Sequence, residues 1–182
     1  SSVKGICQDT VNYIDVRAGY GFLIAHRANM RHLQTGPAKM VEIGYKRAVW
    51  GAEDHLCKIY PGTRMGMNLS YMDVGNQEVV GWAIGAYPSV SFLLGKDYKK
   101  PRLRIGAGLG YVQKPFDQDN NVTNIAIGSY LNALVNFSIE GNWYINENHL
   151  KYGFSFTHYS NAAFSAPNLG LNIPTLYLGY SF

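Results

Sequence analysis

The run Leu103-Arg104-Ile105-Gly106-Ala107-Gly108-Leu109-Gly110-Tyr111 alternates with a period of two. Its odd-numbered positions are apolar, and the positions between them are glycine or arginine. Successive side chains of a β-strand point to opposite faces, whereas a helix needs apolar residues three and four positions apart. The run is therefore predicted to form a strand with one apolar face and one face of small or charged residues.

The same alternation recurs along the rest of the chain. Seven further segments show it: 14–24, 41–49, 64–71, 80–92, 131–140, 150–157 and 176–182. The total is eight strands of about ten residues, and no segment has convincing helical periodicity. An even number of such strands predicts an all-β fold, an eight-stranded antiparallel up-and-down β-barrel. With 182 residues, the range 1–182 is expected to form a single domain.

The location of the apolar face separates two kinds of barrel. A soluble lipocalin-like barrel encloses its apolar face, whereas an outer-membrane barrel turns that face toward lipid. The interior of an eight-stranded barrel is only wide enough for side chains, which suits the faces rich in Gly, Ser and Asn with a few paired charges. The apolar faces carry Tyr and Trp toward the strand ends, as in interfacial girdles. We therefore predict a transmembrane β-barrel, and a soluble lipocalin-like carrier is the alternative.

Composition excludes several other classes. Apolar residues make up 47% of the chain and charged residues 15%, which argues against disorder. No run approaches the roughly 18 apolar residues of a membrane-spanning helix. The net charge of +4 is not gathered in a nucleic-acid-binding cluster, because the one dense basic run, 96–104, suits a solvated turn. We expect no nucleic-acid partner.

The termini and the cysteines bear on the cellular compartment. The polar opening Ser1–Gly5 has no signal-peptide pattern, so we expect either a mature chain or a protein retained in the cytosol. The chain ends on Phe182 with apolar residues behind it in steps of two, which resembles the C-terminal signal of bacterial outer-membrane proteins. Cys7 and Cys57 fit no zinc site and suit either one disulfide or two free thiols. We expect no metal and no cofactor.

Loop lengths orient the predicted barrel, because periplasmic turns are short and outer loops are long. An even number of strands leaves both termini on the periplasmic side. The outer connections are then predicted at 26–39, 73–78, 114–129 and 161–171, and the inner turns at 51–62, 96–101 and 146–149.

A candidate catalytic pair lies at the outer end of the seventh strand. His158 and Ser160 share the parity of the outward-facing Phe154 and Phe156. Residues two apart on one strand face are about 6.6 Å apart at the backbone, and their side chains can lean together. A serine needs an adjacent base to act as a nucleophile, and histidine can take and return that proton. The alternative is a chance pair of polar residues at a membrane interface.

The segment around this pair resembles the active-site segment of the lipid A 3-O-deacylase (PagL) family. The matching residues are Thr157-His158-Tyr159-Ser160-Asn161-Ala162 and, beyond them, Ala166-Pro167-Asn168-Leu169-Gly170. Members of this family are eight-stranded barrels of the bacterial outer membrane that hydrolyse an ester-linked acyl chain of lipid A. The resemblance implies that Ser160 is the nucleophile and His158 the general base. It also implies lipid A, or lipopolysaccharide, and outer-membrane lipids as partners.

The third member of the family's triad is a Glu, and its position is occupied here by Asn172. Asn172 shares the outward parity of Phe182, so its side-chain oxygen could accept the imidazole Nδ1–H, as in Cys-His-Asn enzymes. An amide stabilises the imidazolium less than a carboxylate does, and replacing the acid by its amide costs a serine protease about 10⁴ in turnover. Two functions follow from this departure. The chain is an outer-membrane esterase acting on lipid A, or it is a catalytically weak or inactive lipid-binding or structural barrel.

Other candidate site residues complete the prediction. A tetrahedral intermediate requires oxyanion donors, for which Asn161 and Asn168 are candidates, and the resemblance favours Asn168. Both also suit ordinary turns. Phe154, Phe156 and Phe164 are candidates for an acyl-chain groove, with lipid anchoring as the alternative. Basic residues of the first outer loop could meet lipid A phosphates, namely His26, Arg27, Arg31 and His32.

Overall fold

Each segment with a period of two forms a strand in the computed structural model, which describes residues 12–49, 59–60, 62–95, 99–145, 148–161 and 165–182. Every strand pairs antiparallel with its sequence neighbours, and the first strand closes onto the last. The strands are β1 (Asn12–Gly21), β2 (Ala38–Ala48), β3 (Arg64–Asn76), β4 (Gly81–Leu93), β5 (Arg102–Val112), β6 (Leu131–Ile145), β7 (Asn148–Ser160) and β8 (Leu171–Ser181). The predicted closed eight-stranded antiparallel barrel is confirmed. Cys7 and Cys57 lie outside the described residues.

The structure differs from the sequence prediction at the outer ends of β1 and β8. β8 begins at Leu171, whereas the alternation in the sequence starts only at Leu176. Ile173, Pro174 and Thr175 are all buried, so no alternation marks this part of the strand. β1 ends at Gly21, but the next residues stay paired with β8: the Ile24 N–H donates to the Asn172 carbonyl oxygen at 2.8 Å. The outer end of this strand pair therefore remains joined beyond the regular sheet.

The first outer connection contains a short 3-10 helix, Ala28–Leu33, that no periodicity predicts. Its residues Met30 and Leu33 are buried. Within the described residues, no helix is long and apolar enough to cross a membrane.

The strand pleat places apolar side chains on the outer surface and polar ones in the lumen. Leu69, Leu176 and Leu178 are 57%, 69% and 62% exposed, although leucine is ordinarily buried in a soluble protein. This arrangement contradicts the lipocalin-like alternative, whose apolar face would line the lumen. An apolar surface around a closed barrel with a polar interior is the arrangement of membrane-spanning β-barrels.

Paired charges fill the inner half of the lumen. The Glu42 carboxylate accepts hydrogen bonds from Arg17, from Tyr87 and, at 2.7 Å, from Arg104 Nη1. On the same interior, Lys46 Nζ lies 2.7 Å from Asp15 and 3.3 Å from Glu140. The contacts of Glu42 with Arg104 and of Lys46 with Glu140 join strands that are distant around the barrel, so they brace opposite walls as well as satisfying buried charges.

Apolar side chains close the outer half of the lumen. Residues of the first outer connection pack there against strand residues and against the third outer connection, 113–130. The members include Leu23, Met30, Leu33, Met72, Val74, Val112, Ala126, Ile127, Leu171 and Ile173. The outer loops are thereby packed onto the barrel, which provides a fixed support for side chains at this end.

The charge network in the lumen predicts that one isosteric substitution, Glu42→Gln, lowers the stability of the barrel strongly. Glu42→Gln leaves the Arg17 and Arg104 guanidinium groups without their shared carboxylate, and loss of one partner of a buried ion pair costs about 3–5 kcal/mol. We expect the urea midpoint of the detergent-solubilised barrel, followed by tryptophan fluorescence, to fall accordingly. The control is Glu78→Gln, since Glu78 is exposed in an outer turn. Equal midpoints for the two variants would contradict a stabilising role for the network.

Candidate active site

His158 and Ser160 lie side by side on the outer face of β7. Both are partly exposed, whereas Thr157 and Tyr159 between and beside them are buried toward the lumen. The pleat that points Phe154 and Phe156 outward continues to the end of the strand. The imidazole and the hydroxyl are therefore presented on the lipid-facing side, at the outer end of the barrel.

The neighbouring strand supplies the partner of the imidazole. In the β7–β8 register His158 lies opposite Asn172, and His158 Nδ1 is 2.7 Å from Asn172 Oδ1. An amide oxygen only accepts hydrogen bonds, so Nδ1 carries the proton and donates it to Asn172. In the neutral imidazole, Nε2 is then the unprotonated nitrogen, which is the form that a general base requires.

Asn168 contacts the candidate nucleophile. Ser160 Oγ donates to Asn168 Oδ1 at 3.0 Å, and the backbone N–H of Asn161 donates to the same oxygen at 3.1 Å. Because the backbone N–H needs an acceptor, this contact fixes which edge of the Asn168 amide faces the serine. Within the described part of the chain, Asn168 Nδ2 donates to no acceptor, and only Oδ1 of this amide is engaged. Asn168 thus brings an uncommitted N–H donor to the neighbourhood of Ser160.

The third outer connection holds the segment that carries Asn168. Asn168 forms an isolated β-bridge with Ile127, and the Gly170 N–H donates to the Ala126 carbonyl oxygen at 2.9 Å. Ser165 Oγ donates to the Gly128 carbonyl oxygen at 2.8 Å. Residues 126–128 thus contact the 165–170 segment at three positions, a role that the sequence pattern did not indicate.

Asn161, the other oxyanion candidate, is engaged within its own loop. Its side chain is buried, and Nδ2 donates to the Ser165 carbonyl oxygen at 2.7 Å. This bond connects the end of β7 to Ser165. The Asn161 side chain therefore makes a local contact, and its role as an oxyanion donor, like that of Asn168, stays a prediction.

His26, from the first outer connection, also reaches the site. Its Nδ1 lies 3.1 Å from Asn172 Nδ2, so it contacts a candidate site residue, and its contact with lipid A phosphates stays a prediction. His32 is likewise engaged, with Nε2 at 2.8 Å from the Thr123 carbonyl oxygen. The parity of Phe22 and Ile24, extended by one step, places His26 on the outer face beside β8. That extension, combined with barrel closure, is the signal that could have identified it.

An apolar groove lies on the outer surface below the site. It has a volume of about 680 Å³ and runs across β1, β2, β7 and β8. Its outward lining side chains include Tyr20, Val41, Tyr152, Leu176 and Leu178. Phe154, opposite Leu176 in the register, is exposed beside it, and Phe156 is half-buried. Phe164, the third predicted groove residue, lies outside the described residues.

These features define an outer-membrane β-barrel whose outer rim carries a histidine hydrogen-bonded to one asparagine and a serine hydrogen-bonded to another. The family model described as Lipid A 3-O-deacylase (PagL) matches residues 39–181, and the chain belongs to this family. The suspected family and the location in the bacterial outer membrane are thereby confirmed. Members of the family are lipid A deacylases, which are ester hydrolases.

Solved structures support the fold independently. The crystal structure of Neisserial surface protein A (NspA) matches with a TM-score of 0.59 and 10% identity, over 96% of this chain and 98% of that chain. The crystal structure of the outer membrane enzyme PagL matches with a TM-score of 0.56 and 17% identity, over 91% and 97% of the two chains. At these identities the likeness shows the fold alone. No curated protein sequence matches the chain.

A side chain added at Gly170 would collide with the His158 imidazole ring. Gly170 has φ +77°, and a Cβ atom there would lie 2.7 Å from His158 Cε1. We expect Gly170→Ala to shift the His158 ring signals in NMR spectra of the protein in micelles, since the ring has to move away. The control is Gly95→Ala, which introduces a Cβ at φ +136° in an inner turn, near the Lys100 side chain. Unchanged His158 signals in Gly170→Ala would contradict the close contact.

Proposed function

We propose that this protein is an outer-membrane esterase that hydrolyses an ester-linked acyl chain of lipid A, with Ser160 as nucleophile and His158 as general base. The observation that carries the proposal is the 2.7 Å contact between His158 Nδ1 and Asn172 Oδ1, which leaves Nε2 unprotonated on the same strand face as Ser160. Membership of the deacylase family supplies the substrate class.

The reaction follows the pattern of serine esterases. The Ser160 hydroxyl turns from Asn168 toward His158, Nε2 takes its proton, and Oγ attacks the ester carbonyl carbon. The sugar alcohol leaves with the proton from the imidazolium, and an acyl-enzyme remains. A water molecule, deprotonated by His158, then releases the fatty acid and restores the serine. Donation from Asn168 Nδ2 to the oxyanion would stabilise both tetrahedral intermediates.

The membrane geometry suits a lipid substrate. Lipid A lies in the outer leaflet, so an outward-facing serine at the outer rim meets an ester without extracting the lipid. The acyl chain would descend along Phe156 and Phe154 toward the apolar groove beside Leu176. Phe164 stays a predicted contact of the substrate's acyl chain.

Asn172 also supports a second candidate function. Its amide holds the imidazole but carries no negative charge to stabilise an imidazolium, which suits a barrel that binds lipid A with little or no turnover. The two candidates share the fold and the binding surface, and they differ only in whether a fatty acid is released.

Removal of the nucleophile tests the esterase directly. We expect the wild-type protein, expressed in a lipopolysaccharide-producing host, to release a hydroxy fatty acid from lipid A, and Ser160→Ala to abolish that release, as read by lipid A mass spectrometry. The control is Ser155→Ala on the same strand, because that buried hydroxyl faces the lumen, where Asn136 Nδ2 donates to it at 3.0 Å. Identical lipid A spectra for wild type and Ser160→Ala would exclude the esterase.

Substitution of Asn172 separates the two candidate functions. Asn172→Asp places a carboxylate oxygen where Oδ1 now lies, and we expect it to raise kcat, toward an upper limit of about 10⁴-fold. Asn172→Leu removes the acceptor of the Nδ1 proton and should lower kcat below the wild-type value. A barrel that has no activity in either the wild type or Asn172→Asp would instead support the non-catalytic candidate.

A further inference from the structure

We infer that His26 is a positioning residue of the active site, because it determines which edge of the Asn172 amide faces His158. The inference rests on the proposed function for its catalytic meaning, although its geometry is independent of turnover. A carboxylate at position 172, as in the family pattern, would need no such residue. His26 is therefore needed only because position 172 carries an amide in this chain.

The Asn172 amide lies between two imidazoles. Its Oδ1 is 2.7 Å from His158 Nδ1, and its Nδ2 is 3.1 Å from His26 Nδ1. The backbone is fixed at the same place, since the Ile24 N–H donates to the Asn172 carbonyl oxygen at 2.8 Å. The chain leading to His26 is thus attached to the residue that His26 contacts.

The two edges of an amide are chemically different. Nδ2 only donates hydrogen bonds, so His26 Nδ1 accepts and is unprotonated in this arrangement. In the reversed amide, Nδ2 would face His158 Nδ1, which would then have to be the unprotonated nitrogen. The proton of His158 would move to Nε2, and the base facing the serine would be lost.

His26 removes this ambiguity by offering an acceptor to Nδ2. A carboxylate has two equivalent acceptor oxygens and presents the same edge to His158 in either orientation. The contribution of position 26 should therefore depend on whether position 172 carries an amide or an acid. This dependence distinguishes orientation of the amide from general support of the loop.

The test is a series of substitutions at position 26 in two backgrounds. His26→Asp offers only acceptors, His26→Leu offers neither, and His26→Lys offers only donors. Each is made with Asn172 present and again with Asn172→Asp. Asn29→Ala, at an exposed position of the same connection, is the control for disturbance of the loop.

The first readout is the tautomer of His158, measured by ¹⁵N NMR of the labelled full-length protein in micelles. With Asn172 present, we expect the Nδ1–H form in wild type and His26→Asp, a mixture in His26→Leu, and the Nε2–H form in His26→Lys. With Asn172→Asp, we expect the Nδ1 atom to stay protonated in all of them. A His158 tautomer that is the same in all three variants with Asn172 present overturns the inference.

The second readout is kcat for release of fatty acid from lipid A. Loss of orientation in His26→Leu should reduce kcat about twofold or more, in proportion to the remaining competent fraction. His26→Lys should reduce it further, and Asn172→Asp should suppress both losses. Equal losses in both backgrounds overturn the inference. If no variant releases fatty acid but the tautomer follows position 26, the esterase proposal fails and the inference about His26 stands.

Discussion

Because buried charged and apolar side chains fill the lumen of this eight-stranded barrel, a lipid ligand has to bind on its outer surface. The strand pleat then divides the residues strictly. The inner set forms a charge network around Glu42 and Asp15 that braces the walls, and the outer set is apolar and faces lipid. A reactive group on the outer set is exposed to lipids directly. His158 and Ser160 belong to this outer set at the rim of the barrel.

A histidine and a serine on one strand become a site only when neighbouring segments orient their side chains. Here β8 brings Asn172 to the imidazole, and the segment after β7 brings Asn168 to the serine. The latter segment donates hydrogen bonds to carbonyl oxygens of residues 126–128, and the apolar cluster beneath the loops keeps this support in place. The proposed chemistry therefore depends on packing of loops that do not themselves react.

An amide beside the imidazole requires more of its surroundings than a carboxylate would. A carboxylate orients an imidazole through either oxygen and also stabilises its positive charge. An amide can do only the first, and only when its oxygen faces the ring. The contact between Asn172 Nδ2 and His26 supplies the missing orientation, while the missing charge is not replaced by this contact. In the proposed site, Asn172 and His26 together define the histidine tautomer that a carboxylate at position 172 would define by itself.

The sequence by itself determined the strand count, the antiparallel order, the division into inner and outer faces and the location of the His158–Ser160 pair, because a period of two fixes each side chain's face wherever the two faces differ. It failed where that difference vanishes: Ile173, Pro174 and Thr175 are all buried, so the start of β8 shows no alternation. Only the tertiary structure decided that His26 meets Asn172, that Asn161 contacts Ser165 and that Asn168 meets the serine. The His26 contact joins segments distant in sequence through barrel closure. The other two depend on how the 165–170 segment packs against residues 126–128, which no local pattern encodes.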